Sequence, residues 1–185
     1  MRKVSFAAYA AWNYEKEEQA VNKKSEQGWQ LIKGGCFHSV FEKDETARYR
    51  YRIDCNPKIL KDREEKERYI DFFACQGWEY VNSTFNGWNY FKKAYREGAD
   101  EKEYEIYTDS TSYLEMLGRW VKIARIMQWM LLAAGIVYLL LTMGNPEAVK
   151  VLLCIEYAVL ILILQYGISK MKTKVLKSDE DSIQK

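Results

Sequence analysis

The sequence predicts an α+β fold, in which duplicated βαββ units form an antiparallel sheet with two helices on one face, followed by a transmembrane helical hairpin. Three observations predict it. A charged segment ending in Gln-Gly-Trp occurs twice, an aromatic-rich strand pair follows each occurrence, and the last third of the chain holds two long apolar runs. At 185 residues and 48% apolar composition, the chain is long enough to bury a core and carry something extra.

The repeat comes first along the chain. An offset of 49 superposes Gln27-Gly28-Trp29 on Gln76-Gly77-Trp78, since 76 − 27 = 49, and places Glu15 on Glu64, Glu18 on Glu67 and Ala20-Val21 on Tyr69-Ile70. In both copies Gly stops a charged helix and Trp opens a strand. A strand also precedes each helix: "RYRYRID" alternates Tyr49, Tyr51 and Ile53 with Arg48, Arg50 and Arg52, and "KVSFAAYA" holds the equivalent place. The start, "MRKVSFAAYAAW", has the charged beginning and Ala-Tyr-Ala of a secretory signal; its apolar part is short, lacks Leu and fills a strand position, so it is read as a strand. Each Gly-Trp leads into a hairpin, "WQLIKGGCFHSVFEK" turning at Gly34-Gly35 and "WEYVNSTFNGWNYFKK" at Asn86-Gly87. The units span about 1–47 and 48–97 of a domain 1–111, and two such units can share one sheet with both helices on the same face.

A membrane hairpin is expected over 112–170. Ser112 and Glu115 stand at capping-box spacing and open a helix. From Ile123 to Met143 only Arg125 and Gln128 are strongly polar, and this span can cross a hydrocarbon layer of about 30 Å. Gly144-Asn145-Pro146 breaks the helix, and Val149 to Ile168 supplies a second span whose one charge beyond Lys150 at its start is Glu156. Neither span shows the alternating polar face of a core helix in a soluble protein. Arg119, Lys122, Arg125, Lys170, Lys172 and Lys174 flank the spans, whereas the linker offers Lys150 against Glu147. The positive-inside rule therefore places the repeat domain, the polar tail 171–185 and both termini in the cytoplasm. Cys36, Cys55, Cys75 and Cys154 show no CxxC spacing, which suits a reducing compartment.

Chemistry is sparse in the sequence. His38 is solitary, and no nucleophile elbow, P-loop, zinc-protease or dinucleotide motif occurs, so no catalytic residue, metal or cofactor is expected. Glu15, Glu17, Glu18, Glu64, Glu65 and Glu67, interleaved with Lys16 and Lys66, read as solvated helix surface. Residues 1–111 hold 19 Lys plus Arg and 20 Asp plus Glu, a net of 19 − 20 = −1, so direct nucleic-acid binding is not expected. Trp12, Trp29, Trp78 and Trp88 have a packing reading and a binding reading, in which they line a groove between the copies. Arg48, Arg50 and Arg52 read as an exposed strand face or as the holders of an acidic group in that groove. Glu156 must be paired, protonated or solvated, through another membrane protein, through Tyr138 across the hairpin, or in helix packing.

In order along the chain, "WNYEKEE", "GWQL", "FEK", "YRYRID", "GWEYV" and "WNYFKK" resemble the bacterial family catalogued as domain of unknown function number 2812, over about residues 4–110. The resemblance implies C-terminal membrane spans and genes lying beside PadR-type transcriptional regulators, and hence regulation or sensing. It carries no activity to any residue. The expected function is a binding or sensing module anchored in the bacterial inner membrane, acting through a protein such as a PadR-type regulator or through a small ligand. The alternative is an accessory subunit of a membrane transport complex.

Overall fold

Period-two and helical segments alternate in the order the repeat predicts. They form β1 (Arg2–Phe6), α1 (Tyr14–Glu26), β2 (Trp29–Lys33) and β3 (His38–Lys43), then β4 (Tyr49–Cys55), α2 (Arg63–Ala74), β5 (Glu79–Ser83) and β6 (Trp88–Ala94). The structure, a computed structural model, describes residues 1–107, 109–142 and 148–183. It divides into two units, Met1–Ser112 and Tyr113–Lys185.

Both repeat helices stop where glycine takes a left-handed conformation, at Gly28 (φ 74°) and Gly77 (φ 81°). Helix α2 starts at Asp62, whose carboxylate accepts the Glu65 amide at 3.1 Å. The strands are antiparallel throughout, but they make two three-stranded sheets, β1-β3-β2 and β4-β6-β5, where one sheet was expected. Local backbone geometry offers a reason. Each copy has a bulge in an end strand of its sheet, between Leu31 and Lys33 in β2 and between Tyr80 and Asn82 in β5. The extra residues, Ile32 and Val81, are 49 apart, so the bulge belongs to the repeat, and a bulge bends an edge away from straight pairing. Asn82 of β5 holds the residue that follows β2: it accepts the Gly34 amide at 2.8 Å and donates to the Gly34 carbonyl at 2.9 Å.

Each helix covers its own sheet, rather than both lying on one face of a common sheet. On the first, the Lys24 ammonium of α1 lies 4.5 Å from the Phe41 ring centroid and donates to Ser5, with Val21 buried beside them. On the second, the Phe73 ring of α2 packs tilted against Phe91 with centroids 4.6 Å apart, and Trp78, Tyr104 and Ile106 complete a buried cluster.

The second unit contains most of α3 (Ser110–Thr142) and all of α4 (Ala148–Ile183). Asp109 caps α3, accepting the Ser112 amide and hydroxyl at 2.8 Å each, so the cap is Asp109 and not the expected Ser112. On α4 the less exposed residues recur at coiled-coil spacing, at Cys154, Tyr157, Ile161, Leu164, Ile168 and Met171. Gln128 donates to Gln165 at 3.0 Å and Tyr138 lies 6.1 Å from Tyr157, so the two helices pack side by side. Both are long and apolar enough to cross a membrane, over Ser110–Leu141 and Val151–Leu176. Only 6% and 11% of their most apolar windows is buried, which argues against a pair of soluble-core helices. The expected break at Gly144-Asn145-Pro146 lies outside the described residues.

Two glycines separate backbone strain from close packing. A Cβ at Gly34 would stand 2.4 Å from the Tyr90 ring, whereas at Gly77 it would meet only Lys93, at 3.4 Å. Gly77→Ala should therefore cost about 1 kcal/mol through its positive φ, and Gly34→Ala about 2–3 kcal/mol through overpacking. Thermal unfolding of the purified chain in detergent should rank them in that order.

Candidate functional site at the seam between the repeats

The second sheet ends at β4, and an end strand leaves alternate N–H and C=O groups without a ladder. Here α1 of the first repeat occupies that side. Asn22 accepts the Tyr51 amide at 2.7 Å and donates to the Tyr51 carbonyl at 3.1 Å. Ser25 does the same for Tyr49, accepting at 3.0 Å and donating at 2.8 Å, and Glu18 accepts the Ile53 amide at 2.7 Å. The match is geometric. Four residues of helix rise about 6 Å and two residues of strand about 6.8 Å, so a stripe at i, i+4, i+7 meets alternate strand residues. The first repeat thus holds the second through side chains that imitate a strand.

Gln30 in β2 ties the same seam from below. Buried, its amide nitrogen shares two protons among the carbonyls of Ser25, Asp44 and Ala47 at 3.3, 3.2 and 2.7 Å, and its oxygen stands 2.8 Å from the Ser25 hydroxyl, whose one proton it shares with the Tyr49 carbonyl. The Tyr51 hydroxyl accepts the Leu31 amide at 3.0 Å. Burial pushes the Glu18 carboxyl up to about 7, against the opposing pull of the Arg52 guanidinium and the Ile53 amide. Burial likewise raises Glu17, which accepts the Tyr90 hydroxyl at 2.6 Å.

Beside this seam, both repeats line a cleft of about 370 Å³. Tyr49, Tyr51 and Tyr80 form its aromatic part, and Glu42, Asp44 and Glu79 face it with Lys92. The Lys92 ammonium sits 3.1 Å from Glu79 and 4.4 Å from the Tyr49 ring centroid. A carboxylate and an aromatic face are the two groups that stabilise a cation together, so the cleft already holds a cation of its own. Hydrogen bonds from the Thr46 hydroxyl and amide lower the Asp44 pKa and keep it ionised.

The residues singled out in the sequence are dispersed. Trp78 belongs to the α2 core cluster and Trp88 is stacked 5.4 Å from Tyr14, both buried, while Trp29 lies under the ammonium groups of Lys3 and Lys43, at 5.5 and 5.4 Å. Trp12 is half-buried just before α1. The arginines meet carboxylates. Arg48 reaches Glu26 at 3.1 Å, Arg50 bridges Glu26 at 3.1 Å and Glu101 at 2.6 Å, and Arg52 stands 3.9 Å from Glu18. Arg50 and Arg52 also line a shallow depression with Lys23, and the Arg50 Nε is buried without a hydrogen-bond partner. On the same face of the sheet, buried Asp54 accepts the hydroxyls of Tyr69 and Tyr107. Glu156 is exposed on α4, and Tyr138 packs on Tyr157 next to it.

Glu18, Asn22, Ser25 and Gln30 went unrecognised in the sequence. Their signal was the presence of Asn22 and Ser25, weak helix formers, at helical spacing from Glu18 inside an otherwise highly charged segment.

Two substitutions test the seam. Asn22→Ala leaves a buried donor and acceptor of Tyr51 unpaired and should cost about 2–4 kcal/mol, whereas exposed Lys16→Ala should stay within about 0.5 kcal/mol. For Glu18 the folded pKa lies above its ordinary value of 4.5, so its stabilising contribution is full below that value and is lost as pH rises through about 7. Glu18→Gln keeps an acceptor for Ile53 and removes the titration. Its melting temperature should fall less than that of the unaltered chain between about pH 5 and 8, and equal falls would contradict this account.

A family model described as "Protein of unknown function (DUF2812)" matches residues 13–131, which is 131 − 13 + 1 = 119 of the 185 residues. No curated protein and no solved structure matches the chain. The match takes in α1, the seam, the whole second repeat and the first part of α3. The chain therefore belongs to the DUF2812 family.

Proposed function

We propose that the chain is a membrane-anchored binding module with a regulatory role, its repeat domain and both termini in the cytoplasm of a bacterial cell. The observation that carries this reading is the cleft built jointly by the two repeats, with three tyrosines and three carboxylates around one lysine. Such a lining favours a cationic group, an amine or a guanidinium, on a small ligand or on a protein such as a PadR-type regulator. The arginine row supports the fold through Glu26 and Glu101 rather than standing ready for an acidic ligand. A second reading, an accessory subunit of a membrane transport complex, is favoured by Glu156, a carboxylate exposed on α4 beside the exposed apolar residues Leu152, Ile155 and Leu160.

Spermidine and an arginine-rich peptide serve as probes, titrated against the purified chain with tyrosine and tryptophan fluorescence as readout. Saturable binding is expected, weakened about tenfold by Tyr49→Ala or Glu79→Gln and unchanged by Arg48→Ala. Binding that ignores Tyr49 and Glu79 would move the site elsewhere. Orientation is tested separately. A reporter active only outside the cytoplasm should be silent when fused after Lys185 and active when inserted at Asn145, and the reverse pattern would overturn the cytoplasmic placement.

A further inference from the structure

Strands β1 and β4 hold the same place in the two repeats, yet their outer edges differ. The offset of 49 aligns Arg2 with Tyr51, Val4 with Ile53 and Phe6 with Cys55. In β4 these three side chains are buried, and α1 serves the backbone of Tyr51 and Ile53. In β1, Val4 is 50% and Phe6 82% exposed, and β1 is an end strand of its sheet. The bonds from the Lys43 amide to the Met1 carbonyl and from the Ala7 amide to the Phe37 carbonyl turn the odd residues of this stretch toward β3. The amides and carbonyls of Arg2, Val4 and Phe6 therefore point outward, to the side where no strand lies among the described residues.

The complementary surface is present on α2. The same offset carries Glu18 to Glu67 and Asn22 to Asp71, both exposed. Helix α2 also sits on its sheet as α1 does, since Lys24 against Phe41 becomes Phe73, its counterpart at 24 + 49, against Phe91. The stripe that grips β4 in one repeat is thus turned outward in the other.

The geometry points to a twofold dimer of this chain in which α2 of each copy lies along β1 of the other, repeating the hold of α1 on β4 and closing a ring of four βαββ units. Glu67 takes the Val4 amide as Glu18 takes that of Ile53, and Asp71 takes the Arg2 amide as Asn22 takes that of Tyr51. Asp71 has no donor, so the Arg2 carbonyl keeps a water, and Ser25 has Ala74 as its counterpart and supplies no third contact. Charge adds what those contacts lack. Arg2 and Lys3 on β1 face Glu64, Glu67 and Asp71 on α2. The present partners, Glu42 for Arg2 and Arg63 for Glu67, are exposed ion pairs that exchange at little cost.

The full chain, purified in detergent, tests this by light scattering and by cross-linking with a short thiol-reactive reagent. The unaltered chain should have a dimer's mass, and Val4→Cys combined with Glu67→Cys should give a band of doubled mass well above either single variant and above the four native cysteines. Adding Glu64→Lys and Asp71→Lys, both at exposed positions, should cut that band by about tenfold with the circular dichroism spectrum unchanged. Val4→Pro should shift the mass to monomer without unfolding, because the amide it removes points outward. A monomeric unaltered chain would overturn the proposal, as would a band insensitive to the charge reversals. Val4→Cys linking by itself as well as the pair would also overturn it, in favour of strand-to-strand pairing of β1.

Discussion

Every outward backbone group at Tyr49 and Tyr51, and the amide of Ile53, must find a partner once β4 is buried, and the rest of the repeat domain is arranged around how α1 supplies it. A buried amide or carbonyl left unpaired costs about 1–3 kcal/mol, so five such contacts decide whether the second sheet can lie against the first. A strand could have met the same need and would have merged the two sheets. The helix meets it while its Val21 and Lys24 side still covers the first sheet, so one element holds both repeats. The cleft lined by Tyr49, Tyr51, Tyr80 and Glu79 is a consequence: two sheets pinned at α1 and at the Asn82 amide are not zipped along β2 and β5, and space remains between them.

The parts of this arrangement that repeat were legible in the sequence. Gln-Gly-Trp at both helix ends marked where α1 and α2 stop, because a left-handed residue after a charged helix favours glycine. Alternation in "RYRYRID" correctly separated Tyr51 and Ile53, both buried, from the arginines. The bulges at Ile32 and Val81 were not legible, because both are apolar like their neighbours and nothing in their type distinguishes a bulged residue from a paired one. Glu18 looked like one more solvated carboxylate, and its role depends on an amide 35 residues away. The carboxylates that meet the arginine row were hidden for the same reason, since Glu26 and Glu101 stand 24 and 51 residues from Arg50. Periodicity reports which face a residue takes, and tertiary partners decide what that face does.

The two units answer to different solvents. In the repeat domain, polar side chains such as Asn22, Gln30 and Asp54 are buried and satisfied, while α3 and α4 expose leucine, isoleucine and valine along most of their length. That exposure suits hydrocarbon, where an exposed carboxylate such as Glu156 requires a partner or a proton.

Hydrogen exchange of the native chain, followed amide by amide, tests the central claim most directly. If α1 completes the edge of β4, the amides of Tyr49, Tyr51 and Ile53 should be protected as strongly as those of Asn89 and Phe91 inside the sheet, and Asn22→Ala should release Tyr51 first. Exchange at Tyr51 and Ile53 as fast as at the exposed turn residue Phe85 would contradict it.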